Sequence, residues 1–241
     1  MDLKEHRQKI EEEGFTIIND VFSTDEVEGI LKKIDEADSE KPTFRKSDNL
    51  FAIRQFLKEI PEIQKSIFTE KLKKIIFELF GNDYFVTKSI YFDKPEQSNW
   101  FVAYHQDLTI SVDKKLEIDG FGPWTTKQNQ FAVQPSLDFL EDNFTIRIHL
   151  DNTNEENGAL KIIPRSHLKG IYRAETIDWK TETEVSCNTE KGGIMIMKPL
   201  LLHASSRTTN NEKRRVIHIE FGNKELTNGL NYSERIDLQL V

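Results

Sequence analysis

The chain has 241 residues and a formal net charge of −8, with 33 basic and 41 acidic side chains. This length is sufficient for one large domain with a sizeable core. The acidic balance argues against nucleic-acid binding, because phosphate backbones are bound by clustered Lys and Arg, and the basic residues here are scattered.

The cysteine content and the first residues favour a reducing compartment. The single cysteine, Cys187, has no partner for an internal disulfide, and MDLKEHRQKIEEEG has no apolar segment of a secretory signal. We therefore expect a cytoplasmic protein. Uncharged apolar stretches such as GGIMIM and PLLL are much shorter than the roughly 20 residues that span a bilayer, so no membrane partner is expected.

Residues 1 to about 82 are predicted to be mainly helical. Ser23 and Glu26 have the spacing of a capping box, in which each side chain accepts from the other's backbone N–H, and Phe22 can pack on Val27. Helical spacing then relates the apolar residues Val27, Ile30, Leu31 and Ile34. A second stripe, which predicts a helix ending at Gly81, consists of Ile63, Ile67, Leu72, Ile75, Ile76 and Leu79.

From about residue 83 to 225 the pattern changes to short segments rich in β-branched and aromatic residues. Gly, Pro, Asn and Asp clusters separate these segments, which are DYFVTKSIYF, WFVAYHQDLTISV, FAVQP, NFTIRIHLDN, ALKIIP, GGIMIMKP and RRVIHIEFG. Long helical patterns do not intervene, so a sandwich, jelly roll or barrel is expected. We predict one domain over residues 1–241, mainly β with flanking helices, and a C-terminal tail at 226–241.

Residues 113–130, DKKLEIDGFGPWTTKQNQ, are predicted to be a loop insertion in this β region. The segment is too long for an ordinary connection and contains two glycines, a proline, Phe121 and Trp124. The sequence leaves open whether it is a lid over a site or a plain insertion.

His105 and Asp107 form the first candidate metal-binding pair. On a strand, alternate residues project from the same face, so these two would present an imidazole and a carboxylate together. A mononuclear non-haem iron site takes two histidines and one carboxylate. A further histidine must come from elsewhere, and the residues alone leave open His149, which forms a second H-x-D with Asp151, His203 and His218.

Four blocks in one order carry a family resemblance. They are HQD at 105–107, DNTNEENGALKIIPRSH at 151–167, KPLLLHASS at 198–206, and Arg214 before VIHIEF. The order resembles the phytanoyl-CoA dioxygenase family of iron(II)- and 2-oxoglutarate-dependent oxygenases, and it covers most of the chain. EEEGFTIINDVFSTDEVEGILKKID also looks like the family's opening strand and first helix. The resemblance implies a double-stranded β-helix, a jelly-roll or cupin-like barrel, with a helical N-terminal third.

The resemblance also implies roles for particular residues. His105, Asp107 and His203 would bind iron(II), and Arg214 would bind the distal carboxylate of 2-oxoglutarate. A guanidinium suits that task because its parallel N–H groups match a carboxylate. Ser205 either hydrogen-bonds the same carboxylate or is a turn residue that satisfies the backbone. His149 is then expected either to support the ligands from behind or to be structural.

The implied reaction converts 2-oxoglutarate and O2 to succinate and CO2 and hydroxylates an unactivated C–H bond of a small metabolite. The carboxylate at Asp107 favours hydroxylation over halogenation; desaturation, epoxidation and ring formation stay open. Residues expected to line the pocket are Arg147, Trp124, Gln134, Lys94, Gln106 and Arg54. Lys94 and Arg147 favour an anionic or zwitterionic substrate, although Arg147 could equally be half of a buried ion pair.

Two rival hypotheses keep the barrel but change the function. The first is a metal-dependent β-barrel hydrolase or isomerase, against which Arg214 counts, because hydrolysis needs no carboxylate clamp there. The second is a catalytically silent module that binds a metabolite or a partner protein, against which the intact ligand set counts. The sequence does not indicate an oligomeric state.

Overall fold

A computed structural model of the chain describes residues 2–37, 43–48, 50–127 and 130–238. The α-helices in these ranges lie mostly before residue 82. They are α1 (Lys4–Glu13), α2 (Thr24–Asp35), α3 (Phe56–Glu59), α4 (Gln64–Ile67), α5 (Glu70–Phe80) and α6 (Leu137–Asp142). Short 3-10 helices span Pro61–Ile63, Ser166–Lys169 and Ala174–Thr176. Within the described ranges, the helices lack the combination of length and apolarity that crossing a bilayer requires.

The strands are short, as the spacing of the turn residues predicts. Their bounds are β1 (Phe15–Ile18), β2 (Phe44–Ser47), β3 (Leu50–Arg54), β4 (Phe85–Lys94), β5 (Val102–His105), β6 (Ile110–Val112), β7 (Trp124–Lys127), β8 (Gln130–Val133), β9 (Phe144–His149), β10 (Leu160–Ile162), β11 (Val185–Ser186), β12 (Ile194–Met197), β13 (His203–Ser205), β14 (Arg214–Gly222) and β15 (Ile236–Asp237).

These strands form two facing antiparallel sheets and a small outer sheet. The major sheet has the order β1-β12-β9-β14-β4-β3-β2, with β15 also paired to β4. The minor sheet has the order β11-β10-β13-β5, and the outer sheet has the order β6-β8-β7. The predicted double-stranded β-helix with flanking helices is confirmed.

The major sheet has one apolar and one polar face, because side chains alternate along each strand. On β14, Ile217 and Ile219 belong to the large core that also contains α2 and α5 side chains. His218, between them, faces the minor sheet and lines a cavity there. The helices therefore cover the apolar face, and the polar face is turned toward the interior of the barrel.

The start of α2 follows the predicted capping box. The Ser23 hydroxyl accepts from the Glu26 backbone N–H at 3.2 Å, and the Glu26 carboxylate accepts from the Ser23 N–H at 2.8 Å. The second predicted helix is divided, because Thr69 caps a new helix by accepting from the Leu72 N–H at 3.3 Å. Helix α4 therefore ends at Ile67, and α5 begins after Thr69.

The sheets extend beyond the predicted limits of 83–225. Strands β1, β2 and β3 lie within the mainly helical N-terminal part and pair into the major sheet. In the tail at 226–241, Ile236 and Asp237 pair with β4. Short strands of this kind have a weak local pattern, and long-range pairing stabilises them.

The segment 113–130 is not a continuous loop. Strand β7 and the first residue of β8 lie within it, and both pair in the outer sheet. Trp124 packs against an apolar cluster that includes Ile110, Val112 and Val133. Gln128 and Asn129 lie outside the described residues. Strand β7 is part of the outer sheet, so the lid hypothesis does not apply to this part of the segment.

Candidate metal centre

Pairing of β13 with β5 brings two of the predicted ligands together. His203 lies directly opposite His105 in the antiparallel register, and the ring centroids are 4.3 Å apart. Asp107 lies in the coil after β5, where its N–H donates to the Pro199 carbonyl at 2.9 Å. The expectation that His105 and Asp107 share one strand is wrong, since β5 ends at His105. One potential ligand atom from each residue nevertheless lies within 4.8 Å of the others.

The hydrogen bonds of the two imidazoles leave their Nε2 atoms as acceptors. His105 Nδ1 lies 2.9 Å from the Ala103 carbonyl, and His203 Nδ1 lies 2.8 Å from the Leu201 carbonyl. A carbonyl only accepts, so each Nδ1 carries the proton and each Nε2 has a free lone pair. Such a bond to the non-ligating nitrogen also orients metal-binding histidines.

The free lone pairs converge on the Asp107 carboxylate without bonding to it. The Nε2 atoms of His105 and His203 are 3.8 and 3.7 Å from the Asp107 oxygens, beyond hydrogen-bond distance. Asp107 Oδ2 is buried and has no hydrogen-bond partner among the described residues. Two imidazole nitrogens and a carboxylate facing one another in this way fit iron(II).

The charge states of these groups suit a divalent metal. Burial lowers the pKa of His203 to about 4, and Asp107 offsets this only in part, so the imidazole is neutral at pH 7. Burial raises the pKa of Asp107, but His203, His218 and Lys88 outweigh it and hold the pKa below its usual range. The cluster therefore presents an ionised carboxylate and a neutral His203.

Arg214 and Ser205 meet at one backbone carbonyl beside this cluster. Arg214 Nη1 and the Ser205 hydroxyl both donate to the Gly158 oxygen, the latter at 3.1 Å. Gly158 has a left-handed φ of +82°, and a Cβ there would lie 2.6 Å from the Ser206 carbonyl oxygen, so glycine is required for this approach. The Ser205 contact agrees with the backbone-satisfying alternative and leaves its hydroxyl on the cavity wall.

Within the described part of the chain, the buried cation Arg214 has no acidic partner. Its Nε has no hydrogen-bond partner among the described residues, and the side chain is 2% exposed. Burial lowers the pKa of Arg214 to about 9, and the nearby charge of Arg147 contributes in the same direction. A buried guanidinium in this condition is suited to an anion.

The candidate ligands and both arginines line one cavity of about 150 Å³ between the sheets. Its other walls come from Lys88, Ile90 and Phe92 of β4, from Trp100 and Val102, and from Leu160, Ala204 and His218. A larger cavity of about 410 Å³ lies among α1, α5 and α6, and contains none of the candidate ligands.

Arg147 belongs to a chain of hydrogen bonds across the cavity floor. Its Nη1 lies 3.1 Å from His218 Nδ1, and His218 Nε2 lies 3.1 Å from Glu220 Oε1. Lys88 Nζ donates to the same Glu220 oxygen at 2.6 Å. The buried ion pair is therefore Lys88 with Glu220, and Arg147, which donates to the His218 imidazole, is not part of that pair.

This chain also explains a second cluster of potential ligands. Asp107, His218 and Glu220 offer atoms within 4.8 Å of one another. Both His218 nitrogens and Glu220 Oε1 already have protein partners, so the cluster supports the cavity floor. Sequence reasoning missed Lys88 as a cavity residue and Glu220 as its partner, although alternation in VTKSIYF and RRVIHIEF places them on the inward face.

Gln106 does not line the cavity, so the pocket role expected for it is wrong. Its Nε2 donates to the carbonyls of Leu200 at 2.6 Å and Gly170 at 2.9 Å, and its Oε1 accepts from the Tyr172 N–H at 2.8 Å. The side chain points away from the ligands on either side of it. Gln106 thereby holds the coil around Gly170 against the turn that precedes His203.

Gln106→Ala is expected to lower the free energy of unfolding by roughly 3 kcal/mol, because three backbone groups lose a buried partner. Urea unfolding of the metal-free protein measures this. Gln8→Ala, at an exposed position of α1 where the amide donates to Glu12, is the control and is expected to change stability by less than about 0.5 kcal/mol. Unchanged stability of the Gln106 variant would contradict the assignment.

Lys94, Trp124 and Gln134 also lie outside the cavity lining. Lys94 is fully buried behind it, donates to the Ser206 carbonyl and lies 5.7 Å from the centre of the Trp100 ring. Burial, followed by the charges of Arg214 and Arg207, lowers its pKa to about 7. Trp124 faces the outer cluster, and the Gln134 backbone pairs with Gly122 and Pro123. Direct substrate contact by these residues is not supported.

His149 and Asp151, which form the second H-x-D sequence, both make structural contacts. His149 Nδ1 lies 2.8 Å from the Thr153 hydroxyl, and burial lowers the pKa of His149 well below its usual value. Asp151 accepts from Arg215 Nε at 2.9 Å and from Nη2 at 2.6 Å. The pair therefore does not present two ligands to one metal.

Solved structures similar to this chain include non-heme alpha ketoglutarate dependent enzymes. The chain is similar to the non-heme alpha ketoglutarate dependent carbocyclase SnoK from nogalamycin biosynthesis, with 17% identity, 96% of this chain and 86% of that chain covered, and a TM-score of 0.69. It is also similar to EctD from S. alaskensis, with 16% identity, 93% and 79% coverage, and a TM-score of 0.71. At this identity the likeness establishes the double-stranded β-helix.

A third similar structure is EvdO2 from Micromonospora carbonacea var. aurantiaca complexed with 2-oxoglutarate. Identity is 15%, the alignment covers 99% of this chain and 94% of that chain, and the TM-score is 0.67. No curated protein matches the chain significantly.

The fold is that of the iron(II)- and 2-oxoglutarate-dependent dioxygenases, and this chain is such an enzyme, with iron(II) and 2-oxoglutarate as cofactors. It belongs to the Phytanoyl-CoA dioxygenase (PhyH) family, whose model matches residues 10–216. The resemblance noted in the sequence is thereby confirmed.

Proposed function

We propose that the protein hydroxylates an unactivated C–H bond of a small polar metabolite, with release of succinate and CO2. His105, Asp107 and His203 hold iron(II), and Arg214 binds 2-oxoglutarate. Ser205 would join Arg214 only by turning its hydroxyl from the Gly158 carbonyl to the co-substrate carboxylate. The observation that carries this proposal is the convergence of unsatisfied lone pairs beside a buried, unpaired guanidinium in one cavity.

Iron(II), when bound with 2-oxoglutarate and O2, supplies the oxidising chemistry that these side chains lack. The Ala103 and Leu201 carbonyls fix the orientation of the two imidazoles. Arg214, which lines the same cavity as the three candidate ligands, would orient the co-substrate by its distal carboxylate. Phe92, Val102 and Leu160 give the cavity apolar walls that limit access of water.

Neither rival function accounts for the features of the site. A hydrolase has no use for a buried guanidinium without an acidic partner, and a silent binding module has no use for unsatisfied imidazole nitrogens. Among oxidative outcomes, ring formation is the second candidate, because SnoK is a carbocyclase with the same fold. Hydroxylation is preferred because it needs only the ligand set and the co-substrate site.

Addition of 2-oxoglutarate to the oxygen-free iron(II) protein is expected to produce a metal-to-ligand charge-transfer absorption band. With oxygen, succinate should form slowly, and faster when a metabolite library contains the substrate. Mass spectrometry then reports the outcome: hydroxylation adds one oxygen atom, whereas ring formation or desaturation removes two hydrogens. Absence of the band would overturn the proposal.

A further inference from the structure

A second chamber of about 210 Å³ adjoins the metal-site cavity. Lys88 lines both spaces and therefore lies at the boundary between them. Burial lowers the pKa of Lys88, but Glu220 and Asp107 more than offset this, while Arg54 acts in the opposite direction. Lys88 is therefore within electrostatic reach of Asp107 on one side and of Arg54 on the other.

The outer sheet supplies the polar wall of this chamber. Its register aligns Ser111, Ala132 and Thr125 across three strands, and all of them line the chamber. The neighbouring row, with Ile110 and Val133, faces the apolar cluster instead. The hydroxyl-rich face of the sheet is thus turned toward the space that adjoins the candidate metal site.

Among the described residues, Arg54 is the cation of the chamber that has no acidic partner. Its one side-chain contact in the described part of the chain is with Gln130 Oε1, at 3.5 Å. Burial lowers the pKa of Arg54, and the charge of Arg45 adds to this. Lys88 differs, because Glu220 neutralises it at 2.6 Å.

We propose that Arg54 binds a carboxylate of the primary substrate, and that this substrate is a small carboxylic acid whose other polar groups meet the hydroxyls of the outer sheet. The inference rests on the proposed function and names the substrate class for the same site. A guanidinium matches a carboxylate through two parallel N–H bonds. A phosphate monoester fits less well, because it carries about −1.5 to −2 charges and Arg54 supplies one unpaired positive charge.

Charge balance at the metal site supports this division of tasks. When iron(II) and 2-oxoglutarate are bound, their formal charges and those of Asp107 and Arg214 add up to zero. Arg147 is hydrogen-bonded to His218 on the cavity floor. Arg54 lines only the adjoining chamber, so the co-substrate does not satisfy it.

The test uses the oxygen-free protein loaded with iron(II) and 2-oxoglutarate, after the absorption band has established that the site is formed. Small hydroxy acids and amino acids are compared with their primary amides, and a third arm contains phosphate esters of similar size. Thermal unfolding and titration give the apparent Kd of each compound. The tightest-binding compounds should be acids, with a clear preference over the matched amides.

Arg54→Gln should reduce that acid-to-amide preference by about 10- to 100-fold. The ratio is measured within one variant, so a general loss of stability does not imitate the effect. Arg45→Gln removes the same charge from an exposed residue that does not line the chamber, and should keep the preference.

Three results would overturn the inference: preferred binding of neutral compounds or phosphates, an acid preference that survives in Arg54→Gln, or no acid that binds. Each is separate from failure of the proposed function, which the missing absorption band would reveal.

Discussion

Replacing Asp107 by alanine is expected to abolish 2-oxoglutarate turnover by removing the anionic iron ligand. Only the imidazoles of His105 and His203 then remain in the cluster. Since changes to residues that merely support ligands typically lower metal affinity 10- to 100-fold, the loss of a ligand should exceed about 100-fold. Competition with a chromogenic chelator measures iron(II) affinity, and the absorption band reports the formed site.

Asp151→Ala is the matched control, because it makes the same change in the second H-x-D sequence. The Asp151 carboxylate binds Arg215, so its loss should lower stability and leave iron(II) affinity within about threefold of the wild type. Equal losses of affinity in the two variants would show that the ligand assignment is wrong.

Arg214→Gln is expected to raise the KM for 2-oxoglutarate by about 100-fold or more, because a buried charge partner of the co-substrate is removed. Iron(II) affinity measured without 2-oxoglutarate should change little, which separates this variant from Asp107→Ala. Arg214→Lys keeps the charge but loses the parallel donors, so it should recover only part of the affinity.

Arg215→Gln is the control for this position. Arg215 is adjacent in sequence but pairs with Asp151 and does not line the cavity. Its replacement should lower the unfolding temperature and leave the KM for 2-oxoglutarate near its wild-type value. A large KM increase for this variant, or none for Arg214→Gln, would contradict the assigned clamp.

The sequence predicted the fold class from local patterns, and the order of its family-like blocks implied the candidate ligands. The capping box at Ser23 and Glu26, the turn-separated β segments and the ordered blocks around His105, His203 and Arg214 can all be recognised without knowing any contact. The chemistry of imidazole, carboxylate and guanidinium depends on residue type. The residue types therefore reduced the number of candidate functions before any interatomic distance was known.

The pocket predictions were less successful, since a side chain's surroundings depend on pairing between distant segments. Gln106 lies between two candidate ligands and yet bonds to the backbone at Gly170, Tyr172 and Leu200. Lys94 has the charge expected of a substrate contact, but it is buried behind the cavity wall. Local patterns do not encode these placements.

The sequence by itself determined the kinds of elements, the polar alternation of the inner strands and the residue types available to bind a metal. Only the tertiary structure decided which of them meet: the register of β13 on β5 sets His203 opposite His105, and the outer sheet places Ser111 and Thr125 in the same chamber as Arg54. The physical reason is that register and sheet packing arise from hydrogen bonds and burial summed over the whole barrel, whereas periodicity reports only one segment at a time.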